Sequence, residues 1–239
     1  MWKKTLTIDK AYTRESRALL SELKKNKAAV FALEEHKSRL VVSVAAKNSD
    51  GEAVDDFVCG IAAKILTTYF KHAYLTRELG LKKVSEAAAG LLAVMIYYDC
   101  EGDFDELFGQ FKKSEIICID GVFNFAMRSI KEDWEELAAI SSDLFEGAYC
   151  DEDLYEVAGY VVEERADRTK LLIADEKNPV VTDLTSGGFV TVDDFYGDKT
   201  LNLINCAVGH GAKEITLDAG FKDERLINAL SRFSKVRRI

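Results

Sequence analysis

The sequence predicts a predominantly helical α+β fold: a central helical bundle flanked by an N-terminal βαββ segment and a small C-terminal α/β segment. Apolar residues recur every second position near both ends, as in strands, and about every 3.6 positions in the middle, as in helices. The chain has 239 residues, of which 48% are hydrophobic, enough for one large domain or two modest ones. We place the segments at 1–47, 52–168 and 169–239, and conjecture that the outer two pack together in one sheet.

The first segment reads as strand, helix, strand and strand. Polar and apolar residues alternate from Lys3 to Ile8, and leucines at helical spacing follow between Tyr12 and Lys25. Two apolar stretches, Ala28 to Leu33 and Arg39 to Val44, are rich in strand formers and are joined by a polar loop. A turn at Asn48–Gly51 closes the segment.

The middle segment carries the helical period throughout. A wide apolar stripe begins after Glu52 and continues to Phe70, which makes this the most strongly marked helix. The further predicted helices span Leu81 to Tyr98, Phe104 to Phe111, Gly121 to Glu146, and Asp151 to Arg165.

The last segment returns to strands. Pro179, the only proline, marks a turn, Gly187–Gly188 marks a hairpin turn, and Gly209–Gly211 marks a helix C-cap. The predicted strands are Leu171 to Ile173, Val180 to Val181, Phe189 to Val192, Glu214 to Leu217 and Val236 to Ile239, and the predicted helices are Asp194 to Val208 and Lys222 to Phe233.

Charge is unevenly distributed along the chain, whose net charge is −9. Residues 1–27 hold eight Lys or Arg against three Asp or Glu, and residues 222–239 hold six against two, so the acidity is concentrated between them. Phosphates would be repelled by that middle, so we do not expect a nucleic-acid partner. Binding of nucleic acid through the two basic ends alone stays open.

The sequence favours a cytoplasmic protein. The first ten residues alternate instead of running into an apolar stretch, so they do not resemble a signal peptide. The longest apolar run, Ala87 to Tyr98, is shorter than the roughly 20 residues of a membrane span. The cysteines follow no disulfide or metal spacing and read as reduced thiols; they are Cys59, Cys100, Cys118, Cys150 and Cys206.

Histidines and carboxylates form no metal motif in the sequence. His36, His72 and His210 are far apart, and we interpret His72 as a side chain at the core boundary. The stretch Asp99–Glu106 has acidic residues but not the glycine and glutamate positions of a calcium loop, so we expect an interhelical loop with Asp103 as the helix cap. We therefore predict no metal site.

The sequence predicts no catalytic residue and no cofactor, and leaves cofactor-binding residues unknown. Dinucleotide and P-loop glycine patterns are absent. Cys206 and His210 lie four residues apart at a predicted helix end, which more often reflects a C-cap than a catalytic dyad. The carboxylates of Asp193 and Asp194 suit a helix N-terminus.

The stretch from Ile119 to Leu137 resembles the YtxC-like family of sporulation proteins. A helix of that family opens with a phenylalanine-asparagine-phenylalanine-arginine type of motif and continues as a long acidic amphipathic helix. Here Phe123, Asn124, Phe125 and Arg128 correspond, with Ala126–Met127 intervening before the arginine. The resemblance implies an uncharacterised protein of an endospore-forming Gram-positive bacterium, cytosolic and without established activity.

Three functions stay open. The first is a non-enzymatic interaction or regulatory protein that binds a protein partner. Whether it also forms homo-oligomers is left open by the sequence. The second is a small-molecule enzyme with a site between the helical and C-terminal segments, using Cys206, His210 or Asp194. The third is nucleic-acid binding through the basic ends.

Overall fold

The computed structural model describes residues 1–97, 101–145, 150–164 and 169–239, with the side chain of Glu101 left aside. Helix predominates and the strands form two small sheets, which confirms the predicted α+β class. The elements in chain order are β1 (Trp2–Asp9), α1 (Thr13–Leu23), β2 (Val30–His36), β3 (Arg39–Ala46), α2 (Gly51–Ile65), α3 (Lys71–Glu78), α4 (Glu86–Tyr97), α5 (Glu101–Lys112), β4 (Ile116–Cys118), α6 (Ile119–Phe125), α7 (Arg128–Phe145), α8 (Asp151–Glu164), β5 (Thr169–Ala174), β6 (Val180–Asp183), β7 (Phe189–Val190), α9 (Lys199–Gly209), β8 (Ala212–Leu217), α10 (Glu224–Phe233) and β9 (Lys235–Arg238).

The chain forms two compact units, each made of two separate stretches. Unit 1 combines Met1–Tyr74 with Cys100–Glu136, and unit 2 combines Leu75–Asp99 with Leu137–Ile239. The three segments predicted from the sequence are bounded by changes in the hydrophobic period along the chain. The two units are instead defined by which elements pack together in space. The helices of 52–168 are therefore divided between the two units.

Unit 1 contains a four-stranded sheet in the order β2-β3-β1-β4. β1 pairs antiparallel with β3 over eight residues and parallel with β4 over three. Alternation places Leu6 and Ile8 on one face of β1, where they are fully buried, as are Val42 and Val44 at 1% exposure on β3. Strand β4 was expected to be part of an all-helical stretch; its three residues are too few to show a period.

The long helix of unit 1 is not uniform. α2 and α3 are joined by a π-helical turn, Leu66–Phe70, all of whose residues are buried. The helix therefore extends to Glu78, past its predicted end at Phe70. A π-helical turn widens the helix by one residue and changes which side chains face inward after it. Lys71, the next residue, is completely buried.

The predicted helix Gly121 to Glu146 is interrupted in the structure. α6 ends at Phe125, and α7 begins at Arg128. Met127, between them, is fully buried, so the apolar spacing continues through the break. Periodicity alone therefore does not reveal that two helices are present.

Unit 2 contains a five-stranded sheet in the order β7-β6-β5-β8-β9. β5, β8 and β9 are parallel and are connected through α9 and α10, while β6 and β7 continue antiparallel from β5. Its core includes Leu171 and Ile173 of β5 and Ile215 of β8, all at most 1% exposed. The described strands of the outer segments thus belong to separate sheets, so the conjecture of one shared sheet is wrong.

Helix α9 begins five residues later than the sequence predicts, at Lys199. Its N-cap is Asp198, whose carboxylate accepts hydrogen bonds from Thr200 N and Leu201 N. Asp194 instead lies in the preceding loop and accepts from Gly197 N and Asn202 Nδ2. The prediction that the helix begins at Asp193–Asp194 is wrong. Both this pair and Asp198 precede the same apolar run, and the sequence alone does not show which of them is the N-cap.

Two predicted glycine turns are confirmed. Gly187 has φ +74° and its N–H donates to Asp183 O at 2.7 Å, closing the β6–β7 hairpin. α9 ends at Gly209, and Gly211 follows with φ +58°, a conformation that favours glycine.

Candidate interaction surface

The most exposed regular element of unit 1 is strand β2, at the free edge of its sheet. Among the described strands it pairs with β3 alone, on one side. Six of its seven residues are exposed and only Phe31 is half-buried. Val30 and Leu33 are 75% and 52% exposed, which is unusual for apolar side chains in a strand. The outer backbone groups of β2 are therefore available for pairing.

Phe31 and Leu33 lie on the face of the sheet that is buried elsewhere. They are directly opposite Val44 and Val42 of β3, and opposite residues of an antiparallel pair share a face. The two β3 residues are each 1% exposed, whereas Phe31 is half-buried and Leu33 is exposed. The helical cover of this face consequently ends at β3, and β2 extends its apolar face into the open.

Charged residues are confined to one end of β2. Glu35 pairs with Lys10 at 2.6 Å, and Glu34 lies 3.0 Å from His36. All four side chains are more than a third exposed, so these pairs contribute little stability. The other end, Val30 to Leu33, carries no charge.

A hollow of about 830 Å³ adjoins the apolar end of β2. Val30 belongs both to the strand and to the wall of the hollow, so the two features are continuous. The lining residues are Met1, Lys27, Ala28, Val30, Ala45, Ala46, Lys47, Asn48 and Asp50. We call the open edge of β2 together with this hollow the β2 surface.

A buried ionic cluster fixes the sheet of unit 1 to its helices. Lys4 points from the buried face of β1, at 5% exposure, and its Nζ lies 2.6 Å from Asp55 Oδ1 of α2. The same Nζ donates to Phe111 O at 2.8 Å and to Cys59 Sγ at 3.0 Å. Lys112 Nζ holds the other oxygen of Asp55 at 2.8 Å. Since β1 is also bonded to β3, the cluster steadies the sheet that carries β2.

The protonation of this cluster follows from its geometry. Burial alone would raise the pKa of Asp55, but hydrogen bonds from Lys112 and Lys4 outweigh it and the pKa lies below its ordinary value. Burial raises the pKa of the Cys59 thiol despite the neighbouring Lys4. Cys59 is therefore a neutral core thiol and not an activated nucleophile.

A second ionic group lies where β1, β3 and β4 meet. Arg39 Nη2 donates to Asp120 Oδ1 at 2.7 Å, to Cys118 Sγ at 3.0 Å and to Thr7 Oγ1 at 3.1 Å. Asp120 also accepts from Asp9 N at 3.1 Å. The hydrogen bond that Arg39 donates to Asp120 is the main reason that the pKa of Arg39 is raised. The group joins β1, β3 and β4 to α6.

The interpretation of His72 as a boundary side chain is wrong, because His72 is only 7% exposed. Burial, with a smaller effect of the positive charge of Arg14, lowers its pKa to about 4. Its neighbour Lys71 lies 3.8 Å from Asp103 Oδ2, and Trp134 Nε1 donates to the same oxygen at 2.7 Å. Asp103 lies inside α5 and not at its cap, and part of the expected loop before it, 99–100, is outside the described residues.

Of the residues named for the enzyme alternative, Cys206 and His210 lie one helical turn apart, since His210 N donates to Cys206 O at 3.0 Å, whereas Asp194 lies before the start of that helix. Cys206 is 5% exposed on α9, and His210 is the C-cap of that helix. Asp194 bonds to Asn202 near the start of the same helix, about 12 Å along its axis from His210. In the part of the chain that the structure describes, no group of three or more His, Cys, Asp or Glu could hold a metal ion.

The strand predicted at Val236 to Ile239 is present as β9, which lies at the edge of the unit 2 sheet. Arg238 pairs with Glu224 at 3.1 Å, and Arg232 pairs with Glu152. These carboxylates neutralise part of the positive charge that a nucleic acid would need. Over residues 1–97, 101–145, 150–164 and 169–239, no helix is long and apolar enough to cross a membrane.

The residues that carry the family resemblance fall on two helices. Phe123 of α6 packs against Phe70, with ring centroids 4.7 Å apart, whereas Phe125 is 88% exposed. Arg128, at the start of α7, pairs with Glu132 at 2.9 Å in the open. Only Phe123 of these residues therefore has a clear packing role.

Comparison with known proteins finds no match among family models, curated proteins or solved structures. Sequence reasoning also missed the β2 surface. The apolar pattern located the strand but not its position in the sheet. An apolar strand has the same composition at the edge of a sheet as in its centre. One signal was available: three consecutive charged or titratable residues, Glu34 to His36, suit an edge better than a core strand.

Proposed function

We propose that this chain is a non-enzymatic protein-interaction or regulatory protein that binds a partner through the β2 surface. The observation that carries the proposal is an uncharged, exposed strand edge, Val30 to Leu33, continuous with an apolar hollow. Addition of a strand to such an edge provides main-chain hydrogen bonds, and the neighbouring hollow provides selectivity for side chains. An interaction role also fits the neutral, enclosed thiol of Cys59 and the separation of Asp194 from His210.

The setting of this interaction is proposed from the resemblance alone. The YtxC-like pattern at Phe123, Asn124, Phe125 and Arg128 supports a cytoplasmic protein associated with sporulation in a Gram-positive host. Protein levels followed through vegetative growth and spore formation in an endospore-forming host test this part. Equal levels at all stages, with normal spores after deletion, would contradict it.

Affinity capture with paired variants tests the interaction role. Leu33→Lys places a charge in the middle of the β2 surface, and Phe189→Lys makes the same kind of change at an exposed aromatic on β7, the edge of the other sheet. We expect wild type and Phe189→Lys to retain a specific partner that Leu33→Lys loses. Retention of the same partners by all three proteins would refute the assignment of function to the β2 surface.

A further inference from the structure

Strand β2 lacks two of the usual features that prevent an edge strand from pairing with another chain, a β-bulge and a proline. Its register with β3 continues over seven residues without a bulge, and it contains no proline. Its charges stand only at one end, and the apolar end is exposed. Such an edge is a template for a further strand.

We propose that the occupant of the β2 surface is a second copy of this chain, paired antiparallel through β2 about a two-fold axis at Phe31. This inference rests on the proposed interaction role of the β2 surface and names its partner. The two sheets would join edge to edge, and the same surface would be used by both copies, as a closed two-fold dimer requires.

The charges of the β2 segment favour this axis over axes further along the strand. With Phe31 on the axis, Lys27 of each copy lies opposite Glu35 of the other, giving two attractive pairs at the ends of the paired stretch. Val30 then lies opposite Ala32, so the uncharged residues meet in the middle. Opposite charges on directly facing residues stabilise a strand pair, and like charges destabilise it.

Registers centred further along β2 are less favourable. An axis at Ala32 places Lys27 opposite Lys37, a like-charge pair. An axis at Leu33 brings the two copies of Glu34 into diagonal contact near the centre and provides no opposing cation. A register halfway between two of these would place an odd-numbered residue of one copy opposite an even-numbered residue of the other. Directly opposite side chains would then lie on different faces of the sheet, which a two-fold axis perpendicular to the sheet does not permit.

The pairing requires a short extension of β2. Residues 27–29 precede the strand, and Lys27 and Ala28 are exposed, so their backbone can extend without uncovering the core. Glu35 must exchange Lys10 for Lys27 of the second copy, and both existing partners are exposed. A pairing of this length is a small interface, so we expect a reversible dimer whose population depends on protein concentration.

Sedimentation velocity of the purified full chain over a range of concentrations tests the proposal. We expect a reversible shift from monomer to dimer as concentration rises. Lys27→Glu and Glu35→Lys should each weaken dimerisation at least tenfold, and the double variant should restore it to near the wild-type value. Lys10→Gln is the matched control: it removes the intrachain partner of Glu35 and should leave the dimer intact.

A second measurement keeps the proposal testable where a variant folds poorly. In wild-type protein, hydrogen exchange at residues 27–35 should slow at high concentration while the hydrogen-bonded strand β1 stays unchanged. A protein that is monomeric throughout, or a dimer insensitive to both charge reversals, overturns the self-pairing. In either case, loss of a captured partner in Leu33→Lys would still support the proposed function, so the two can fail separately.

Discussion

The buried cluster around Lys4 predicts that its two charges are not equally important for stability. Lys4 is 5% exposed, and its main counter-charge is Asp55 at 2.6 Å. Asp55 has a second cation, Lys112 at 2.8 Å, whose side chain is 32% exposed. Removing Asp55 therefore leaves a buried cation without a carboxylate, whereas removing Lys4 leaves a carboxylate that still has a partner.

The expected magnitudes differ accordingly. Breaking a buried pair so that one charge is left uncompensated costs about 3–5 kcal/mol, which we expect for Asp55→Asn. Lys4→Met keeps the Asp55–Lys112 pair, and Phe111 O keeps its hydrogen bond from Ser114 N, so the loss is that of the bonds from Lys4 Nζ, about 1–3 kcal/mol.

Urea unfolding followed by circular dichroism and tryptophan fluorescence measures both variants against wild type. Asp55→Asn should show the larger loss in free energy of unfolding, and the double variant Lys4→Met/Asp55→Leu should be more stable than Asp55→Asn alone. A Lys4→Met protein that is as unstable as Asp55→Asn would refute the reasoning, as would two variants within about 0.5 kcal/mol of wild type.

The loss of folding stability at acidic pH provides an independent check on the same cluster. Because the pKa of Asp55 is lowered in the folded state, its contribution is present above the ordinary aspartate pKa of 3.8 and is lost as the pH falls below it. Asp55→Asn should therefore flatten the decline of stability below about pH 4. If that variant loses stability below pH 4 as steeply as wild type, the assigned pairing is contradicted.

Three further predictions concern single side chains. His72 stays neutral down to pH about 4 in the folded protein, while unfolded histidine takes up a proton below 6.5, so stability should fall by about 3 kcal/mol between these values and less in His72→Gln. Gly90→Ala should cost about 1–3 kcal/mol, because its Cβ would lie 2.4 Å from the Phe233 ring. Asp198→Ala should cost about 1 kcal/mol through loss of the α9 cap.

Each of these has a clear contrary result. A wild type and His72→Gln that lose stability in parallel from pH 7 to 4 would show that His72 does not titrate as stated. A Gly90→Ala protein as stable as wild type in urea would mean that the ring of Phe233 moves aside at no cost. An unchanged midpoint for Asp198→Ala would place the helix start elsewhere.

The periodicities of the chain anticipated most elements but not how they are joined. Periods of two and 3.6 residues located β1, β3, α2 and α8 to within a few residues, because each has one buried face long enough to be read. Short or interrupted elements escaped: β4 has three residues, and the break between α6 and α7 lies inside a continuous apolar pattern.

The chemistry of side chains was less accessible from sequence. Lys4 reads as one more polar residue in an alternating strand, yet it occupies the buried face and needs Asp55, fifty-one positions away. His72 reads as a boundary residue, yet the π-helical turn before it changes which side chains face inward. Both depend on partners that only the packed structure brings together.

The sequence by itself determined the α+β class, the acidic middle with basic ends, the glycine turns and most helix positions, because these depend on local pattern and composition. Tertiary structure alone decided that the described strands form two separate sheets, that unit 1 and unit 2 each gather distant stretches, and that β2 is an open edge. The physical reason is that strand order and burial are set by contacts between residues far apart in the chain, which a local hydrophobic period does not encode.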